Sequence, residues 1–418
     1  MRRLATLTAA AALAVAFGFG GAAQAATTFV VDFDGVASPG DCDTGTADST
    51  TIQGGIDLAT SGASDTVEVC PGTYTEDLDI FKDDLELAGS GSGSTTIVGI
   101  ATLPAASFPL AAPNIDIQAN GVSVHDFTLQ HPVVLLAEYS SGIVLDGTDI
   151  EISDNAFLVG AGDISQAIQS WASSPVGLAD DISGLNIHNN TFSHLAPLPV
   201  GGHGYEGIFI NPQINPEDST NPISISNNTF SGELIRAITV DSRSFAVIHG
   251  NTISTIHGVE FTVLPRGIQL GRSGGTLANN MHVLKNSITA VTASGGVFVT
   301  AILVTSKATN VKVVFNAVVD AETGVEVAGD KNQIVNNSIA TVGTSGVAGV
   351  ALVAAFKNHV VNNRITCGNG DGVTIDGSST RNNVIANRFS TCGATISDAI
   401  SNTGGGTNKI KANKIVTP

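Results

Sequence analysis

The chain has 418 residues, with 37 acidic and 18 basic side chains and a net charge of −19 at pH 7. That balance excludes nucleic-acid binding along its length, because phosphate contacts require a basic stripe. Beyond the N-terminus no stretch is apolar for the roughly 18 residues of a spanning helix, so no integral membrane segment is expected.

Residues 1-25 have the pattern of a secretory signal peptide. Arg2-Arg3 precede an apolar run from Leu4 to Phe19, and Ala23-Gln24-Ala25 offers a cleavage site after Ala25. Residues 26-418 are then one exported domain, secreted or held at the cell surface. Within the cap region, 26-75, Ser49, Thr50 and Thr51 can open a short helix whose Ile52, Ile56 and Ala59 share a face, placed to cover the open end of a first coil. Asp32, Asp34, Asp41, Asp43 and Asp48 can offer oxygen to calcium, although a solvated acidic loop explains them without a metal. No cofactor is required.

From residue 155 onward an Asn-x-(Ile/Phe/Val) element recurs. In the C-terminal coils it expands to an octet with two asparagines, Asn332 to Ile339, Asn358 to Ile365, Asn382 to Phe389 and Asn408 to Ile415. The period of roughly 24 to 26 residues is that of a solenoid. Interleaved with it, a small residue opens a short alternating strand, as in Gly207-Ile-Phe-Ile210 and Gly324-Val-Glu-Val327. The asparagines are expected at turns in or near the left-handed region, with their amides bonded into a ladder. A leucine-rich repeat is excluded by the missing helical half. The pattern predicts an all-β, right-handed parallel β-helix of about 12 coils and roughly 60 Å length. Cys367 and Cys392 fall on adjacent coils and should bridge, which leaves Cys42 and Cys70 to pair near the cap.

With Thr51-Ile-Gln53, Asp65-Thr-Val-Glu-Val69 and Pro71-Gly-Thr-Tyr74, the cap resembles the N-terminal part of secreted right-handed β-helix repeat proteins of the pectate-lyase-like superfamily. The resemblance covers roughly residues 27-418 and implies the fold. Members include polysaccharide lyases, glycosidases, epimerases, adhesins and copper-site maturation proteins, so the resemblance fixes the fold and not the activity; an extracellular polysaccharide is the partner expected from the groove predicted in the central coils.

Charge is divided along the axis: Ala26 to Ile235 holds 28 acids and one base, Lys82, whereas Arg236 to Pro418 holds 9 acids and 15 bases. Aligning the strands on their small residues Ala167, Gly207, Ala237 and Gly267 places three columns on an outer face. Gln166, Glu206, Arg236 and Arg266 form the first, Gln169, Phe209, Thr239 and Gln269 the second, and Trp171, Asn211, Asp241 and Gly271 the third. The longest insertions flank these coils, which predicts a central groove. Trp171, Tyr205 and Phe209 can stack on sugar rings, with Asn211, Arg243 and Gln269 to bind hydroxyls and charge. Arg236 and Arg266 on consecutive coils suit a uronate carboxylate, whose charge grows when the C5 proton leaves. Glu206 and Asp241 complete the catalytic candidates; an ion-pair ladder with Glu206 is the plainer account of the arginines.

The function expected is therefore a lyase or epimerase acting on an anionic glycan, with a glycoside hydrolase or a non-enzymatic adhesion or carbohydrate-binding scaffold as alternatives. For hydrolysis the Glu206-Asp241 pair stands about 17 Å apart, too far for paired carboxylates. Asp180-Asp181 with Gly202-His203-Gly204 matches only part of a polygalacturonase pattern. His188 and His249 lie two coils apart, too distant for one metal. Leu284, Val314, Val335, Val361 and Ile385 form an apolar stripe that allows self-association.

Overall fold

The computed structural model describes residues 25–35, 42, 46–100, 113–130, 140–159, 165–170, 181–194, 205–210, 219–232, 234–241, 244–254, 257–258, 265–271, 278–289, 292–293, 299–341, 348–368, 370–393, 395–405 and 407–416. Three parallel sheets of 14, 12 and 13 strands run along one axis. The first extends from Thr28–Val31 to Lys409–Lys411, the second from Leu78–Ile80 to Ile400–Asn402, and the third from Gly72–Thr75 to Lys414–Ile415. Each complete coil gives one strand to each sheet, with incomplete coils at the two ends, which makes a right-handed parallel β-helix of the expected size.

Like residues sit on like residues because the pairing is in register. In the first sheet Ile187, Ile225, Ile248, Val283, Val313 and Ile334 succeed one another inward, and all are fully buried. In the third, the rings of Phe157, Phe192 and Phe230 stack at 4.8 and 4.5 Å between centroids. The small residue at the start of each second-sheet strand has a steric cause. A Cβ on Gly207 would lie 2.6 Å from both the Ala237 carbonyl oxygen and the Phe230 ring, and one on Gly372 2.4 Å from Phe389.

The asparagine ladder is present, with one correction. The Asn363 Oδ1 accepts from the Asn337 N–H at 2.9 Å, while its Nδ2 donates to Asn387 Oδ1 at 3.0 Å and to the Ile334 carbonyl at 2.8 Å. Ladder asparagines do not adopt the left-handed conformation. The residue before each one does, as at Asn189 (φ 58°), Asn227 (55°), Lys285 (54°) and Asn362 (55°). That preceding residue turns the corner, so the ladder side chain can point inward and satisfy buried backbone groups of neighbouring coils.

The cap helix is Ile52–Leu58, and Thr51 caps it by accepting from the Gly54 N–H at 3.1 Å. Glu76 accepts from the exposed first N–H groups of Ile52 and Gln53 at 2.9 and 3.1 Å, a placement the helix dipole favours. Ile52, Ile56 and Ala59 are buried as the shared face requires. Both disulfides form, Cys42–Cys70 and Cys367–Cys392, with Cα separations of 5.4 and 4.9 Å. Replacing Cys367 and Cys392 together by serine is expected to lower stability by about 3 kcal/mol, the entropy of the closed loop. Urea unfolding free energies, each extrapolated with the variant's own slope, measure it, and coincident values would contradict it.

Candidate functional site

The strands Ser165–Ser170, Tyr205–Ile210, Leu234–Val240, Arg266–Leu270 and Thr300–Val304 lie side by side in the second sheet. Their register sets Gln166, Glu206, Arg236, Arg266 and Thr300 in one column. A second column holds Gln169, Phe209, Thr239, Gln269, Leu303 and Glu326. Asp241 follows Val240 into the third.

Arg236 pairs with Glu206, Nη1 to Oε1. Arg266, on the next coil, is only 6% exposed, and its Nη1 donates to the Pro265 carbonyl at 3.0 Å. The Nε groups of both arginines are buried and have no hydrogen-bond partner among the described residues. Burial pulls the Arg266 pKa down to about 10; the Glu326 carboxylate opposes that fall and the Arg236 charge adds to it. Glu326 accepts a hydrogen bond from the Thr300 hydroxyl at 3.2 Å, and Thr300 is the register partner of Arg266. Glu326 belongs to the site although the sequence analysis did not include it. Its offset from Gly324 equals that of Phe209 from Gly207, so carrying the column two coils further would have found it.

The insertions expected to wall a groove here lie largely outside the described residues, and the side chains of the face itself have little exposure. Phe209, Asp241, Gln269 and Thr239 are all buried. Tyr205 is a further correction: it is 1% exposed and packs in the core, where burial pushes its phenol well above the usual range. Alternation explains this, since the residue next to outward Glu206 must point inward. Trp171, Asn211, Arg243, Asp180 and residues 202–204 lie outside the described residues, as do Asp41 and Asp43. Among the expected aromatic contacts, Phe209 alone is both described and on this face. Glu206 and Asp241 differ by one coil and five strand positions, which keeps them about 17 Å apart. Asp181 accepts from the Ser183 N–H at 2.9 Å and so shapes a turn.

Outside this face, Leu284, Val314, Val335, Val361 and Ile385 form a continuous half-buried column on the first sheet. His188 is held by Glu151 at 2.9 Å and stands two coils from His249. Among the cap acids, Asp48 accepts from the Val30 N–H at 2.8 Å and Asp32 from that of Asp34 at 3.4 Å, uses that need no calcium.

Two carboxylates not singled out from the sequence meet near the N-terminal end of the second sheet. Asp79 and Asp116 are register partners on adjacent strands. Burial, with smaller contributions from the Asp79 and Asp146 charges, raises the Asp116 pKa against the hydrogen bond it accepts from Gln118. A folded pKa above the unfolded one makes the ionised form destabilising, and the penalty fades as pH falls through the folded value. Asp116→Asn should therefore raise the melting temperature at neutral pH, with the gain vanishing in acid. A variant that melts lower at neutral pH would contradict this.

The chain is thus a right-handed parallel β-helix repeat protein. A model of the family described as periplasmic copper-binding protein (NosD) matches residues 266–417. Among solved structures the fold is similar to the A-module of the mannuronan C-5 epimerase AlgE6 from Azotobacter vinelandii, at 15% identity over 88% of this chain and 94% of that one, with a TM-score of 0.55. It is also similar to a PL6 family polysaccharide lyase from Pseudopedobacter saltans, at 13% identity, 88% and 92% coverage and a TM-score of 0.52. The DFA-IIIase of Arthrobacter chlorophenolicus A6 superposes at 13% identity, 86% and 91% coverage and a TM-score of 0.56. No curated protein matches by sequence. All four cysteines are in disulfides and Met281 is fully buried, so among the described residues no sulfur donor is open to a soft metal. Among the described residues no group of three or more His, Cys, Asp or Glu could hold a metal. No helix among them is long and apolar enough to cross a membrane.

Proposed function

We propose that the protein is exported and acts on an anionic polysaccharide at the outer face of its second sheet, by removing the proton next to a uronate carboxylate. The observation that carries this reading is Arg266, a buried guanidinium with an unpartnered Nε beside a second arginine. A buried cation that lacks full pairing is unfavourable, and an arriving carboxylate relieves it through charge-assisted, bidentate bonds. As the C5 proton leaves, negative charge moves onto that carboxylate, so the arginines hold the enolate more strongly than the ground state. The incoming carboxylate displaces Glu206 from Arg236, which leaves Glu206 within reach to take the proton. Asp241, about 17 Å along the face, serves to hold a neighbouring sugar, with Phe209 and Gln269 between. Arg266 is only 6% exposed, so substrate binding must expose its guanidinium. Two disulfides suit the oxidising compartment that export supplies.

Hydrolysis is a second reading, favoured by Asp79 and Asp116. They are register partners on adjacent strands, about 5 Å apart at the backbone, which allows the close carboxyl spacing of a retaining pair, and burial shifts Asp116 in the direction a general acid requires.

A panel of polyuronates and neutral glycans separates these outcomes. Ultraviolet absorbance from an unsaturated sugar end marks a lyase, C5 inversion seen by NMR an epimerase, and new reducing ends without absorbance a hydrolase. Binding without change would reduce the protein to a binding module. No binding at all would refute the reading and favour a scaffold that uses the apolar stripe.

A further inference from the structure

Arg364, Arg388 and Lys414 form one column on the outer face of the third sheet, on three consecutive coils. Upstream the same column carries only small uncharged side chains, at Thr252, Ser287, Ala317 and Ser338. All three basic residues are exposed, and none is ion-paired among the described residues. Parallel-strand spacing sets them about 4.8 Å apart, so each cation repels the next, and no carboxylate among the described residues pairs with one to offset it.

They edge a hollow of about 480 Å³ whose other walls are Asn362, Asn363, Ala386 and Ala412. Ala386 and Ala412 are held at φ 58° and 56°. At the equivalent corner earlier coils carry larger side chains in the same conformation, as at Asn227, Lys285, Phe315, Asn336 and Asn362. With only a Cβ at Ala386 and Ala412, the last two corners leave the hollow open, and a longer side chain there would narrow it. The opening and the unneutralised charge thus fall at one place.

We infer that this column is a second binding site, for a linear polyanion whose repeating charges are carboxylates: a uronate-rich polysaccharide laid along the helix axis. The row of cations advances one coil at a time, which suits a polymer with a regular charge rather than a compact ion. Two arginines present forks for carboxylates, and the Asn362 side chain at the rim offers hydrogen bonds to hydroxyls. The site lies on a different sheet from Arg266 and stands independently of the chemistry proposed there. It would hold a long chain at the last coils while the second sheet is free to engage another part of it.

The test is fluorescence anisotropy with a labelled oligogalacturonate, made in an Arg236→Ala/Arg266→Ala background so that the remaining affinity belongs to the third sheet. Adding Arg364→Gln, Arg388→Gln and Lys414→Gln should weaken binding by about tenfold or more and flatten its salt dependence. Adding Ala386→Asn and Ala412→Asn instead, with the charges intact, should weaken binding severalfold. Unchanged affinity in the neutralised variant would overturn the inference, as would equal binding of a neutral oligosaccharide. Binding of inorganic polyphosphate without binding of the uronate would overturn the ligand class.

Discussion

Phe192→Ala is expected to destabilise the protein by about 3–5 kcal/mol. Phe192 is the middle ring of a stack with Phe157 and Phe230, near-parallel to both at 7° and 5°, and it is fully buried. Truncation removes two stacking contacts and most of the buried ring area, and it leaves a hole that the backbone cannot close. On one side the chain is pinned by Asn190, whose Nδ2 donates to Asn228 Oδ1 and to the Ile152 carbonyl at 3.1 and 2.8 Å. On the other, strand pairing fixes Phe192 between Phe157 and Phe230. Phe192→Leu, which keeps most of the volume, should cost less than half as much. Urea unfolding followed by circular dichroism measures both. A loss below about 1 kcal/mol for the alanine variant would mean that the stack contributes little beyond filling space.

The architecture was legible because a β-helix repeats its physical demands at every coil. The small residues before Ile208 and Ile268 mark a close approach to the next coil, and aligning on them gave the Glu206, Arg236 and Arg266 column in its observed register. The disulfides followed from the same counting. What failed was local. The ladder asparagines were expected in the left-handed turn, but an amide that must bond inward cannot also turn the corner, and that task falls to the preceding residue. Tyr205 was grouped with the sugar-binding aromatics because it neighbours Glu206 in sequence, although alternation sends neighbours to opposite faces. Burial of the outer face had no signature in the strands, since it depends on what lies over them. Asp79 and Asp116 escaped notice because they are 37 residues apart in sequence and meet only through register.

Arg266→Ala carries the largest functional effect expected: about a hundredfold loss of turnover on a polyuronate, the usual effect of removing a group that meets developing negative charge. Arg266→Lys should restore little, because an ammonium cannot reproduce the fork. Lys312→Ala, an exposed cation on the first sheet, should leave turnover unchanged. Stability should move the other way. Removing a shielded, incompletely paired cation is expected to leave the urea midpoint unchanged or raise it, whereas a purely structural arginine would lower it.

The pH dependence sharpens the distinction. Burial brings the Arg266 pKa down from the ordinary guanidinium range to about 10 on folding, so between these values the unfolded chain holds the proton that the folded protein has lost. This group's contribution to stability therefore rises with pH across that window, while carboxylate binding, which needs the charged form, declines as pH passes 10.

The most direct test compares a uronate oligosaccharide with its carboxyl-reduced, neutral twin by calorimetry. The protein used has Arg364, Arg388 and Lys414 replaced by glutamine, with and without Arg266→Ala. With Arg266 in place the charged twin should bind more tightly by about tenfold or more, and with Arg266→Ala the preference should largely vanish. Equal affinity for the two twins, or a preference that survives Arg266→Ala, would contradict a carboxylate site on the second sheet.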